Sequence, residues 1–143
     1  GVVRSIPANK INFNYRSIEL PKDLIFLSAT FKGKVKNSEE INNYMTELNT
    51  IKNMAQPTKI KTSGSTFKNP VNQTDKKVWE LIRSSVSQET SYGDAVISKK
   101  HANFFINKKN AKASDMKSLI NFVKKKVKDQ TGIKLELEIV VVE

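Results

Sequence analysis

With 143 residues, 38% hydrophobic and 27% charged, the chain has the length of one domain with its own core, or of one domain and a piece of a second. It contains no cysteine, which excludes disulfides, a thiolate nucleophile and thiolate metal sites, and fits a cytoplasmic protein. The single histidine, His101, cannot build a histidine-rich zinc centre, so no metal is expected. No apolar run approaches the ~20 residues of a membrane-spanning helix, so no membrane association is expected either.

The opening Gly1-Val2-Val3-Arg4 is neither a secretory signal nor a transit peptide and lacks an initiating Met, as expected of a processed chain or a fragment. Phe13-Asn14-Tyr15-Arg16-Ser17 reads as irregular. Residues 23 to 32 carry β-branched and aromatic side chains without a breaker and follow Leu20-Pro21, so they read as a buried strand. Asn37 opens a helix with Glu40 as its capping-box partner. Ile41, Tyr44, Met45, Leu48 and Ile51 recur at helical spacing, and Gln56-Pro57 closes it. A loop from Thr58 to Asn72 leads into a helix capped by Asp75, with Val78, Trp79 and Ile82 on its core face. Two short strands are expected at Ala95 to Ser98 and Ala102 to Ile106. The clearest helix runs from Ala113 to Thr131, capped by Ser114 and ended by Gly132 in a left-handed turn. The tail from Lys134 alternates, with Leu135, Leu137, Ile139 and Val141 on one face and Glu136 and Glu138 on the other. The pattern is that of an α+β protein, helices packed on a small sheet.

The stretch Gly64-Ser65-Thr66-Phe67-Lys68-Asn69-Pro70 packs poorly by composition and carries chemistry. Glycine allows close backbone approach, a hydroxyl can give or take a proton, Lys68 and Asn69 can hold an anion, and Pro70 fixes the exit. From the residues alone, a ligand loop and a plain strand-turn-helix connection stand about level. The net charge of +11 invites a polyanion, but the lysines are scattered and interleaved with Asn, which favours a basic solvated surface. Aromatic residues beside basic ones, as a base-stacking surface needs, are few, so no nucleic-acid partner is expected. A basic nucleic-acid-binding module and a non-catalytic remnant are the competing readings.

Tyr15-Arg16-Ser17, the Gly64 to Pro70 loop, Lys100-His101-Ala102-Asn103-Phe104 and Gly132 to Glu138 with its Leu135-Glu136-Leu137-Glu138 end come in an order that resembles the C-terminal half of the UDP-N-acetylenolpyruvoylglucosamine reductases, also called UDP-N-acetylmuramate dehydrogenases. The resemblance runs from about Phe13 to Val142. It implies an NADPH- and FAD-dependent reduction of UDP-N-acetylglucosamine enolpyruvate in peptidoglycan precursor synthesis, in which reduced flavin passes a hydride to the vinyl carbon and a serine protonates its neighbour. The residues matching the family's catalytic set are Ser65 as proton donor, Arg16 on the substrate carboxylate and Glu138 at the enol oxygen. Tyr15, Lys68, Asn69, His101 and Asn103 match substrate-binding positions. Lys52-Asn53 stands where the family often has paired arginines, which leaves Lys59 or Lys61 to meet the diphosphate. The short segment between Arg16 and Gln56 places the chain in the branch lacking an extra tyrosine-bearing loop. Nothing resembles the glycine-rich flavin cradle, and there are only 5 glycines. The resemblance therefore implies that residues 1–36 close a flavin domain that is mostly absent, that residues 37–133 bind substrate, that residues 134–143 form a strand returning to the flavin domain, and that the missing flavin domain is a partner.

Overall fold

The computed structural model describes residues 1–142 and divides into two compact units, residues 1–37 and the residues from Ser38 onward. In the first unit a single 3-10 turn, Ala8–Lys10, precedes a small hairpin of β1 (Phe13–Asn14) and β2 (Ser17–Ile18), paired Phe13 to Ile18 and Asn14 to Ser17. The sequence read this stretch as irregular; the hairpin exists because Arg16 takes a left-handed φ of 57° at the turn. The Glu19 carboxylate further accepts from the side-chain amides of Asn12 (2.7 Å) and Asn14 (3.2 Å). The strand expected over residues 23 to 32 is not formed. After a turn at residues 22–23 this segment has no ladder partner within the described residues, and Ile25 and Phe31 are 84% and 89% exposed. Strand propensity describes how well a residue fits a sheet, and a strand still needs neighbours to take its N–H and C=O groups.

The second unit opens with α1 (Ser38–Ala55), as the apolar spacing predicts. Glu39 and Glu40 sit in its first turn and Lys52 in its last, both favourable to the helix dipole. Its apolar stripe, Ile41, Tyr44, Met45, Leu48 and Ile51, is exposed, and the Lys100 ammonium donates to the Asn53 carbonyl near its C-terminal end.

The body that follows is a four-stranded antiparallel sheet with two helices on it. Along the chain come β3 (Lys61–Ser65), α2 (Val78–Ser85), β4 (Ser91–Tyr92), β5 (Ala95–Ile97), β6 (Phe104–Asn107) and α3 (Ala113–Thr131), and the strands lie in the order β3-β6-β5-β4. Lys61 to Ser65 reads as loop in the sequence because Lys-Thr-Ser-Gly-Ser has no apolar alternation. It is a strand because β6 supplies its ladder. In α2 the buried positions are Val78, Leu81, Ile82 and Ser85, spaced three and four apart, so Trp79, expected in the core, falls on the flank at 37% exposure. Asp75 does not cap this helix: Lys77 is the N-cap, its N–H donating to the Glu80 carboxylate at 2.6 Å. The α3 bounds are those expected, with Gly132 at φ 74° as C-cap. Its N-cap is Lys112 instead of Ser114, because Asp115 reaches back to the Lys112 N–H at 2.9 Å. Leu119, Ile120, Val123 and Val127 of α3 meet Leu81 and Ile82 of α2 and Ala95, Ile97 and Phe105 of the sheet in one core.

The tail forms no full strand within the described residues. Leu135 is buried, Leu137 makes one antiparallel bridge to Phe67, and Val141 is exposed; the end of the expected segment, Glu143, lies outside the described residues.

Candidate active site

The chemistry-bearing serine stands directly after an irregularity in β3. Thr62 pairs with Ile106 and Ser65 with Phe104, so the β3 side carries one extra residue, a β-bulge. Gly64 takes φ 86° within it, a conformation that costs an L-residue roughly 1–2 kcal/mol. The Thr62 hydroxyl fastens the bulge, donating to the Phe105 carbonyl at 2.7 Å and accepting from the Gly64 N–H at 3.2 Å. A bulge bends its strand and re-aims the side chain that follows, which here is Ser65.

Beyond Ser65 the main chain is held from both sides. The Thr66 N–H donates to the Asn103 carbonyl at 2.8 Å, and the Asn103 side chain brackets Phe67, its Oδ1 accepting from the N–H at 2.9 Å and its Nδ2 donating to the C=O at 2.8 Å. On the other side the Lys68 N–H donates to the Glu136 carbonyl and the Glu138 N–H to the Thr66 carbonyl, both at 2.9 Å. The Phe67 ring is buried edge-on against Phe105, 5.8 Å between centroids. Ser65 and Glu138 are thereby carried by neighbouring, cross-bonded stretches.

Both line one cleft of about 690 Å³, with Lys52, Gln56, Pro57, Thr58 and Lys59 from the end of α1 and its following turn, Thr62, Ser63 and Gly64 of the bulge, and Phe104 and Ile139. The cleft combines hydroxyls, a carboxyl and two ammonium groups with the apolar Phe104 and Ile139. That combination suits an anionic substrate on which a proton must be placed. Lys59 adopts a left-handed φ of 60°, unusual for a lysine. Of the two cations named for a diphosphate, Lys59 lines this cleft, and so does Lys52. Lys61 lies in a second groove with Lys99, Lys108 and Lys109, where Lys99 pairs with Glu89 at 2.7 Å and holds that carboxyl below the usual range.

The remaining sequence-derived candidates divide by surroundings. Asn69 accepts from the Val78 N–H at 3.0 Å, fixing the start of α2. Lys68 is half-buried next to it. Asn103 is 3% exposed, with its carboxamide on the Phe67 main chain. His101 lies in the β5–β6 connection, its ring 4.8 Å from Phe104 and 6.5 Å from Trp79, and its Nδ1 accepts from the Asn103 N–H at 3.2 Å. Burial pulls the imidazole pKa down, partly offset by a hydrogen bond to its own backbone. Tyr15 and Arg16 stand on the hairpin turn of the first unit, the guanidinium 5.7 Å from the Tyr15 ring centre. Sequence reasoning missed Thr62, whose fastening role has no signature without the β6 partner.

The family model described as the UDP-N-acetylenolpyruvoylglucosamine reductase C-terminal domain matches residues 56–142. The chain belongs to that family. A UDP-N-acetylenolpyruvoylglucosamine reductase of Pelagibacter ubique (strain HTCC1062) is 62% identical over 97% of the chain and 46% of its own length. One of Rickettsia bellii (strain RML369-C) is 45% identical over 97% and 45%. The crystal structure of the reductase from Thermus caldophilus superposes with a TM-score of 0.72 at 32% identity, covering 91% of this chain and 45% of that one. The chain thus spans a little under half the length of these relatives and corresponds to the reductase family's C-terminal domain, with the α+β fold expected of it.

Proposed function

We propose that this chain is the substrate-binding and proton-donating part of an NADPH- and FAD-dependent reductase that converts UDP-N-acetylglucosamine enolpyruvate to UDP-N-acetylmuramate in peptidoglycan precursor synthesis. The observation that carries the reading is the meeting of Ser65 and Glu138, far apart in sequence, in one cleft edged by Lys52 and Lys59. The described residues do not fit a flavin pyrophosphate. Gly64, Gly93 and Gly132, the glycines with positive φ, serve a bulge, a hairpin turn and a helix end, and none belongs to a phosphate-cradling loop. Flavin and NADPH would be held by the remainder of the enzyme, and reduced flavin would supply the hydride.

This chain's own part is the other half of the addition. Hydride delivery to the vinyl carbon leaves negative charge on the adjacent carbon and the carboxylate, and that carbanion is basic enough to take a proton from a neutral hydroxyl within reach. Ser65 needs placement for this, which the Gly64 bulge supplies, and the resulting alkoxide is reprotonated from solvent. Glu138 and, by the family resemblance alone, Arg16 are the groups assigned to the developing enolate oxygen and to the substrate carboxylate. The lysines of the cleft rim meet the diphosphate.

Two measurements test this. Calorimetric titration of the chain with the enolpyruvyl nucleotide sugar at two salt concentrations should give saturable binding with a shallow salt slope, against a single-stranded oligonucleotide as comparison. Binding of the oligonucleotide alone, collapsing with salt, would identify a basic nucleic-acid module instead. In the flavin-loaded enzyme, Ser65→Ala should lower turnover by ~10²–10⁴-fold, the usual worth of a positioned proton donor. Unchanged turnover would remove Ser65 from the mechanism.

A further inference from the structure

We propose that Asn103 is a positioning residue: by bonding both the N–H and the C=O of Phe67, its carboxamide sets where Ser65 and Glu138 stand in the cleft. The proposal rests on the reductase reading above. Among the described residues the β3–β6 ladder ends at Ser65 paired with Phe104, and past that point the chain leaves β6. The Asn103 side chain takes over, presenting a donor and an acceptor in one plane as a peptide of a neighbouring strand would. With the Asn103 carbonyl on Thr66 and the tail on Thr66 and Lys68, the N–H groups of residues 66, 67 and 68 are all engaged. Ser65 is one residue before this clamped stretch, and Glu138 is bonded to its first member. A shift of Phe67 therefore moves the hydroxyl and the carboxyl together.

Asparagine is the side chain of this length that can do so. Aspartate offers two acceptors, one of them facing the Phe67 carbonyl, and leucine offers neither donor nor acceptor. The main chain of Asn103 is tied as well: its N–H donates to His101 Nδ1 at 3.2 Å. The rings of Phe104 and Trp79 beside His101 fix the plane of the imidazole. Asn103 is buried and both ends of its carboxamide already face Phe67, so it acts through Ser65 instead of by touching the substrate.

The test uses the flavin-loaded enzyme with this chain as its C-terminal half, and amide exchange in the same protein. Asn103→Leu should lower kcat for the nucleotide sugar by ~30- to 100-fold while KM stays within about threefold, as expected when a donor is displaced without loss of ground-state contacts. Flavin reduction by NADPH should be unchanged, and the Phe67 amide should exchange faster while Lys68, still on Glu136, does not. Should that variant fail to fold, Asn103→Asp serves: its buried carboxyl titrates at raised pH, and protonation restores a donor opposite the Phe67 carbonyl. Its activity relative to wild type should then climb as pH falls, the ratio cancelling effects of His101, Glu138 and Lys68. A raised KM with unchanged kcat would mean that Asn103 binds substrate directly and would overturn the proposal, as would unaltered kinetics or a flat activity ratio. A wild-type protein that neither binds nor reduces the nucleotide sugar overturns the reductase reading, and the positioning role with it, while the Phe67 exchange still reports the clamp.

Discussion

The segment of residues 24–31 and the segment of residues 102–107 have similar apolar and aromatic content, yet only the second forms a strand. Phe104 and Phe105 are buried in a strand with partners on both sides, whereas Phe26 and Phe31 lie exposed in a segment with no ladder. Composition is nearly matched, so the difference lies in what each segment is offered: β6 receives β3 and β5, both from within the same unit, while residues 24–31 receive no strand among the described residues. Burial and backbone pairing have to be supplied together for an apolar run to become a strand.

Substitution can sharpen that contrast. Phe105→Ala should destabilise the body by about 3–5 kcal/mol, as large-to-small changes at fully buried aromatics do, whereas Phe31→Ala should change stability by less than about 0.5 kcal/mol. Denaturant titration of the two variants decides, and a comparable loss from Phe31→Ala would show that the first unit contributes burial of its own. Gly64→Ala should cost roughly 1–2 kcal/mol from φ alone, since an added Cβ would meet no atom within 4 Å among the described residues beyond its chain neighbours. A larger loss, read from the same titration, would mean that the bulge had collapsed. Thr66→Val should be neutral or stabilising by up to about 1 kcal/mol, because the Thr66 hydroxyl is fully buried and has no hydrogen-bond partner among the described residues.

The smallest effect is in pH. The His101 pKa is lowered in the folded state, so the folded protein binds fewer protons than the unfolded chain between the two values. Its contribution is present above the unfolded value near 6.5 and is lost as pH falls through the folded one. Thermal melts from pH 7.5 to pH 5 should show a decline that is reduced in His101→Gln; equal slopes would place the sensitivity elsewhere.

What the sequence made legible follows the range of the interactions involved. The helices α1 and α3 were readable because spacing and first-turn acids are local, and α3 has the predicted ends. The Gly64-Ser65 motif was readable because a glycine beside a hydroxyl announces an unusual backbone. Strand β3 and the clamp by Asn103 were not, because each depends on a neighbour distant in sequence, whereas the flank position of Trp79 follows from the spacing of Val78, Leu81, Ile82 and Ser85 in its own helix. Glu138 stood out only through the family resemblance; by pattern alone it is one of two carboxylates alternating with leucines.

The bridge between Phe67 and Leu137 has a consequence for the order of biosynthesis. Synthesis runs from the N-terminus, so the residues of the bulge and of its clamp, complete by Phe105, are made before Glu136 and Glu138. The carboxylate is thus the later of the two groups to be made, and a chain cut after β6 would carry the serine and its clamp without Glu138.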